Sequence, residues 1–163
     1  MSVEEVGCPY CGRAAVLVGG LVIYAFRQDL RHKRFWYCGP CGAWVGCHPA
    51  ADAEGRGGVG DGTVPLGRLA NAELRALKRQ AHAVFDPLWR SGHMKRKNAY
   101  AWLASQLGIE SADCHIGWMN ATDCQRVIDI CARETERLME SGMWLVPAEK
   151  TTNCVGNGRE MRL

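Results

Sequence analysis

The chain lacks any apolar run long enough to cross a bilayer. Its longest, Ala14 to Phe26, is thirteen residues and is broken by Gly19 and Gly20, whereas a membrane helix needs roughly 20. It also lacks a dominant charge: 20 Lys and Arg against 17 Asp and Glu leave +3. That balance permits a nucleic-acid partner without the strongly basic signature that would demand one. The first residues, Met1-Ser2-Val3-Glu4-Glu5, are acidic and precede no apolar segment with a cleavage site, so the expectation is a chain without a secretory signal that stays in a cytoplasm and has no membrane partner. There is no internal repeat, and no Walker, H-E-x-x-H or nucleophile-elbow motif to suggest catalysis. Disorder is equally excluded, because 47% hydrophobic and 23% charged residues are the proportions of a chain that packs a core.

What the sequence does have is cysteine. Nine in 163 residues call for an explanation, and in a reducing compartment that is metal binding or core burial rather than a disulfide framework. The length fits one ordinary domain or a small stapled module joined to a helical one.

The organisation predicted is α+β. Residues 1–50 read as a β-module: Val16-Leu17-Val18, a Gly19-Gly20 turn and Leu21-Val22-Ile23-Tyr24 form a hairpin signal, and Phe35-Trp36-Tyr37 and Ala43-Trp44-Val45-Gly46-Cys47 supply further strands. Residues 51–65, with five glycines between Pro49 and Pro65, read as a flexible linker. No Gly-Lys-Ser/Thr follows to make them a phosphate loop.

Residues 66–146 turn helical. A first helix runs from an Asn71 cap to Pro87 with Leu74, Leu77, Ala81, Val84, Phe85 and Leu88 inward. A second spans about Lys95 to Gln106 and is closed by Gly108. A third runs from Thr122 or Asp123 to before Gly142, with Cys124, Val127, Ile128, Cys131 and Leu138 on one face. Residues 147–163, with Cys154, read as a tail.

Two knuckles, Cys8-Pro9-Tyr10-Cys11-Gly12 and Cys38-Gly39-Pro40-Cys41-Gly42, are separated by the twenty-six residues 12 to 37. The two-residue spacing lets both sulfurs of a knuckle converge about 2.3 Å from one zinc ion, and the trailing glycine permits the tight turn. A redox pair would need only one such motif, and a rubredoxin-like iron site would use similar ligands. Zinc is the expected metal, held by Cys8, Cys11, Cys38 and Cys41. Four sulfurs close the coordination sphere, so its role is structural. Cys47-His48 and Cys114-His115 offer a weaker second set; packing is the better reading of these and of Cys124 and Cys131.

Arg27, Arg31, His32, Lys33 and Arg34 crowd the approach to Phe35-Trp36-Tyr37, and cations beside rings suit single-stranded nucleic acid. The candidate contacts are Arg31, Lys33 and Arg34 for phosphates and Trp36 or Tyr37 for stacking. A second basic cluster, Arg90, His93, Lys95, Arg96 and Lys97, opens the second helix, where cations oppose the helix dipole. The helix and turn that follow suggest a helix-turn-helix with a short second member. His82 with Asp86, and His115, are the only candidates for catalysis.

The motifs Cys8 to Gly12, Cys41-Gly42-Ala43-Trp44-Val45-Gly46-Cys47-His48-Pro49, Pro65-Leu66-Gly67-Arg68-Leu69-Ala70, Ala81-His82-Ala83-Val84-Phe85-Asp86-Pro87-Leu88-Trp89 and His115-Ile116-Gly117-Trp118-Met119 together resemble a zinc-finger-containing family of bacteriophages and prophage-bearing bacteria. The resemblance spans most of residues 7–131. It implies a zinc ribbon, a helical C-terminal region and a phage or mobile-element origin. The function expected is a non-catalytic nucleic-acid-binding module. A phage-encoded adaptor or inhibitor of a host protein and a metal-dependent nuclease are the alternatives.

Overall fold

A computed structural model of the chain describes residues 6–52 and 57–143; Cys154 and the segment read as a tail lie outside them. Among the described residues no helix is long and apolar enough to cross a membrane. The fold is α+β, with a small sheet at the front and helices behind.

Strands β1 (Val16–Gly19), β2 (Arg34–Cys38) and β3 (Ala43–Gly46) form an antiparallel sheet in the order β1-β2-β3. Leu17 and Val45 lie opposite Trp36, while Val18 and Gly46 lie opposite Phe35. Alternation therefore puts Trp36 and Cys38 on one face and Phe35 and Tyr37 on the other. The first face packs the ribbon core of Cys8, Ala15, Trp36, Cys38, Ala43, Cys47 and Leu69.

The hairpin expected at Gly19-Gly20 is not formed. Gly20–Ile23 is instead a single helical turn, α1, and β1 pairs with β2 across the loop. Neither glycine has positive φ. A Cβ on Gly20 would lie 1.9 Å from the Leu30 carbonyl oxygen, so this glycine admits a close backbone approach rather than a turn.

The glycine-rich segment runs back along the ribbon. Val59 N–H donates to Pro49 O (2.9 Å), Ala51 N–H to Gly60 O (3.0 Å), His48 N–H to Val64 O (2.8 Å) and Leu66 N–H to Gly46 O (2.9 Å). Trp44 and Ala70 then exchange backbone hydrogen bonds at 3.0 and 3.1 Å, which delivers the chain to the first long helix.

The helical region contains four helices, not three: α2 (Ala72–Phe85), α3 (Pro87–Arg90), α4 (Arg96–Leu107) and α5 (Ala121–Glu140). Pro87 ends α2 but also starts α3, because proline at a first helical position has its φ preset and needs no N–H partner. Asn71 caps α2 by accepting from Leu74 N–H at 2.9 Å. Gly108 closes α4 at φ 70°, and Asn120 with Asp123 forms a capping box on α5. The apolar stripes meet in a second core that includes Leu74, Phe85, Leu88, Leu103, Val127 and Leu138, with α2 against α5 as its main packing.

Candidate metal centre

Each knuckle is a turn whose backbone is dictated by its last residue. Gly12 stands at φ 71° and Gly42 at φ 56°, with open space where a Cβ would point; the conformation, not crowding, asks for glycine. In the first knuckle Gly12 N–H donates to Cys8 O (2.9 Å) and Cys8 N–H to Arg13 O (2.8 Å). In the second, Gly42 N–H donates to Gly39 O at 3.1 Å. The pairing of β1 with β2 brings the two turns side by side at one end of the sheet.

The four sulfurs of Cys8, Cys11, Cys38 and Cys41 all lie within 4.8 Å of one another, and Cys11 Sγ is 3.6 Å from Cys38 Sγ. A tetrahedron of sulfurs about 2.3 Å from zinc has edges of about 3.8 Å, so the donor set has the size and chemistry of a tetrathiolate zinc site. A hydrogen bond from the Arg13 backbone holds the Cys11 thiol down to about 7. Cys41, chiefly through its hydrogen bond to the Cys11 sulfur, is pushed up to about 12. A divalent ion would replace the protons these sulfurs share. Among the described residues no second group of three or more Cys, His, Asp or Glu ligands converges. Cys47 belongs to the ribbon core and Cys114 to the helical core, so the second set read from the sequence stays apart.

Both knuckles touch the start of α2. Tyr10 Oη accepts from Asn71 N–H at 3.1 Å. Arg75 Nη1 donates to Gly42 O at 3.3 Å and to Ala70 O at 2.5 Å, and its guanidinium lies 4.5 Å from the Trp44 ring centroid. Trp44, Phe35 and Tyr24 make mutual edge-to-face contacts at 5.4–5.8 Å on the sheet face away from the ribbon core.

The residues expected to meet nucleic acid are divided by the pleat. Arg31, Lys33 and Arg34 are exposed. Trp36 is 5% exposed and its indole N–H donates to Thr63 O at 2.7 Å, which leaves Tyr37, half-buried on the opposite face, as the available ring of the two. Phe26, which in the sequence only ends the apolar run from Ala14, is 98% exposed beside this basic stretch. Nothing in its spacing could have revealed that.

His82 Nδ1 lies 3.3 Å from Asp86 Oδ1, and Arg90 holds the other carboxylate oxygen at 3.1 Å. His115 is exposed, with its ring 6.2 Å from that of Tyr100. After α4 the chain makes only a three-residue turn, Ser111–Asp113, too short for a recognition helix.

A three-stranded antiparallel sheet with a four-cysteine cluster at one end fits a zinc-binding module of the zinc-ribbon type. The model of the zinc-finger-containing domain family matches residues 4–134, and the chain belongs to that family. No curated protein and no solved structure matches it.

Proposed function

We propose that the chain is a zinc-stabilised nucleic-acid-binding module, non-catalytic and of phage or mobile-element origin, acting in a host cytoplasm. The observation that carries this reading is the state of the cations near the sheet. Arg27 is held by Asp29 at 2.7 Å, but Arg31, Lys33 and Arg34 are exposed and none forms an ion pair within 4 Å among the described residues, although Arg34 is near enough to Asp61 to help hold its carboxyl down. Unpaired exposed cations are free to replace the counterions of a phosphate backbone, and the exposed Phe26 ring, with Tyr37, offers a surface on which a base can stack.

The test is binding of labelled single-stranded DNA and RNA to the zinc-loaded protein, followed by anisotropy across a salt series. Affinity should fall steeply with salt. Replacing Arg31, Lys33 and Arg34 together by alanine should lower the log–log slope by about 2, at roughly 0.7 per contact. Phe26→Ala should weaken binding by about tenfold, within the ~1–3 kcal/mol of one stacked base. Affinity that is flat with salt removes the reading. Val22 and Phe26, 62% and 98% exposed, also favour a second one, an adaptor that docks on a host protein. A partner recovered from nuclease-treated host lysate, with no binding to oligonucleotides, selects that alternative.

A further inference from the structure

From Pro87 to Ile109 the chain carries Arg90, Lys95, Arg96 and Lys97 and no acidic residue at all. The fold lays two of these cations, Arg90 and Arg96, against rings contributed by α3 and α4. The Arg96 guanidinium lies 5.4 Å from the Trp89 ring centroid and 5.2 Å from that of Tyr100, and Arg90 lies 5.1 Å from Trp89. Lys95, Arg96 and Lys97 are exposed, and none of the three pairs with a carboxylate among the described residues.

Helix stability does not explain this arrangement. The cluster occupies the first turn of α4, which has no acidic residue and no side-chain cap; cations there oppose the helix dipole. The ring contacts do explain something else. A guanidinium resting on an aromatic face keeps its charge but loses conformational freedom, so its donors are presented in advance and less entropy is lost on binding.

We propose that this ledge, Trp89 and Tyr100 carrying Arg96 with Lys95 and Lys97 beside them, is a second nucleic-acid contact that grips the phosphate backbone irrespective of sequence; Arg90, paired with Asp86 at 3.1 Å, braces the Trp89 ring and is not one of its free cations. It rests on the nucleic-acid reading above and adds a separate surface to it. In that reading the ribbon stacks on bases through Phe26 and Tyr37. The ledge of α3 and α4 contributes charge alone, so its whole share of the affinity is salt-sensitive and adds to the slope contributed by Arg31, Lys33 and Arg34.

The experiment measures oligo(dT) binding by the full-length, zinc-loaded protein across a salt series. Lys95→Gln with Lys97→Gln should weaken binding about tenfold near 0.1 M salt and lower the log–log slope by about 1.4, two contacts at roughly 0.7 each. Lys95→Arg with Lys97→Arg should restore both values, which separates lost charge from a disturbed helix. Arg133→Gln, an exposed position on α5, should change neither. If the glutamine pair binds like the wild type in affinity and slope while the Arg31, Lys33 and Arg34 alanine variant loses binding, the ledge is not a contact and the ribbon reading stands. If the arginine pair fails to restore binding, charge is not what the ledge supplies and the proposal is overturned. A wild type that binds no oligonucleotide removes both.

Discussion

Removing the metal should unfold the front of the molecule and leave the back. Among the described residues the ribbon buries three large side chains, Trp36 and Leu69 in the core and Phe35 on the other face of the sheet, with Val6 and Val45 partly buried beside the first two. Burials of about 1.5–3 kcal/mol per large side chain fall short of the ~10–16 kcal/mol that a structural zinc contributes in small modules. The helical core buries Phe85, Leu88, Leu103, Ile116, Leu138 and Val127 below 2% exposure and does not depend on the sulfurs. A strong chelator under reducing conditions should therefore expose Trp36, shifting its emission to the red, and abolish amide protection in β1, β2 and β3. The 222 nm helical signal should persist, because the long helices of 14, 12 and 20 residues all lie behind the ribbon. Hydrogen exchange should localise any helical loss to α1, which belongs to the ribbon, and to the first turn of α2, where Tyr10 and the Gly42 carbonyl cease to be partners. Retained strand protection after complete chelation would show that metal does not hold the ribbon. Simultaneous loss of all helical signal would show that the two cores are one cooperative unit.

Two further outcomes follow from packing and ionisation. A Cβ on Gly67 would lie 2.1 Å from the Gly117 carbonyl oxygen, backbone against backbone, so Gly67→Ala should destabilise by about 2 kcal/mol or more in urea melts. Gly12→Ala, with open space around it but φ at 71°, should cost only about 1–2 kcal/mol; equal costs would contradict this distinction. The second outcome is alkaline destabilisation. Burial pushes Cys131 up to about 12 and raises Cys47, Cys114 and Cys124 as well. Unfolded thiols ionise near 9, so the folded chain binds more protons above that pH, and stability present below 9 is lost as pH climbs towards 12. Burial also lowers Lys78 to about 8 from 10.5, which acts the other way between those values, so the thiol contribution is read from a comparison of variants that share Lys78. Urea melts of the zinc-loaded protein from about pH 9 to 11 should show the wild type losing stability relative to Cys131→Ala; a difference between the two that does not change with pH would refute the assignment.

The ligands and the long helices were legible because their signals are local. C-x-x-C-G encodes a knuckle within five residues, Asn71 and Gly108 mark helix ends by their own chemistry, and the apolar stripe of α2 needs no partner to be seen. The misread positions have two local solutions. A glycine pair in an apolar run serves a hairpin turn or a close approach equally well, and only Leu30, ten residues beyond Gly20, decides between them. Proline after a helix reads as a stop, yet Pro87 is also a start. Alternation in Phe35-Trp36-Tyr37 shows that neighbouring rings oppose each other but not which face is covered; that depends on Leu69, which arrives from beyond the glycine-rich segment. The ledge around Trp89 was legible only as charge, because the turn between α3 and α4 is what brings Arg96 against both the Trp89 and the Tyr100 ring.

The zinc site has a second consequence besides holding a small sheet. Its two knuckles contact α2 at different points, Tyr10 at the capping residue and Gly42 through Arg75, one turn further on. A helix held at two points along its first turn is constrained in direction as well as position. At the far side, Lys78 of the same helix donates to the Gly117 carbonyl at 2.6 Å and the Arg68 carbonyl at 3.4 Å, tying α2 to the Gly67–Gly117 contact, while its C-terminus passes through Asp86 into α3 and the Trp89 ledge. A metal held by the four sulfurs would thus fix the helix that leads to the second basic surface. In the proposed function, loss of zinc abolishes the ribbon contact directly and leaves the ledge charged but no longer oriented relative to it. Residual binding of the metal-free protein should then keep the salt dependence contributed by Lys95, Arg96 and Lys97 and lose the contribution of Phe26.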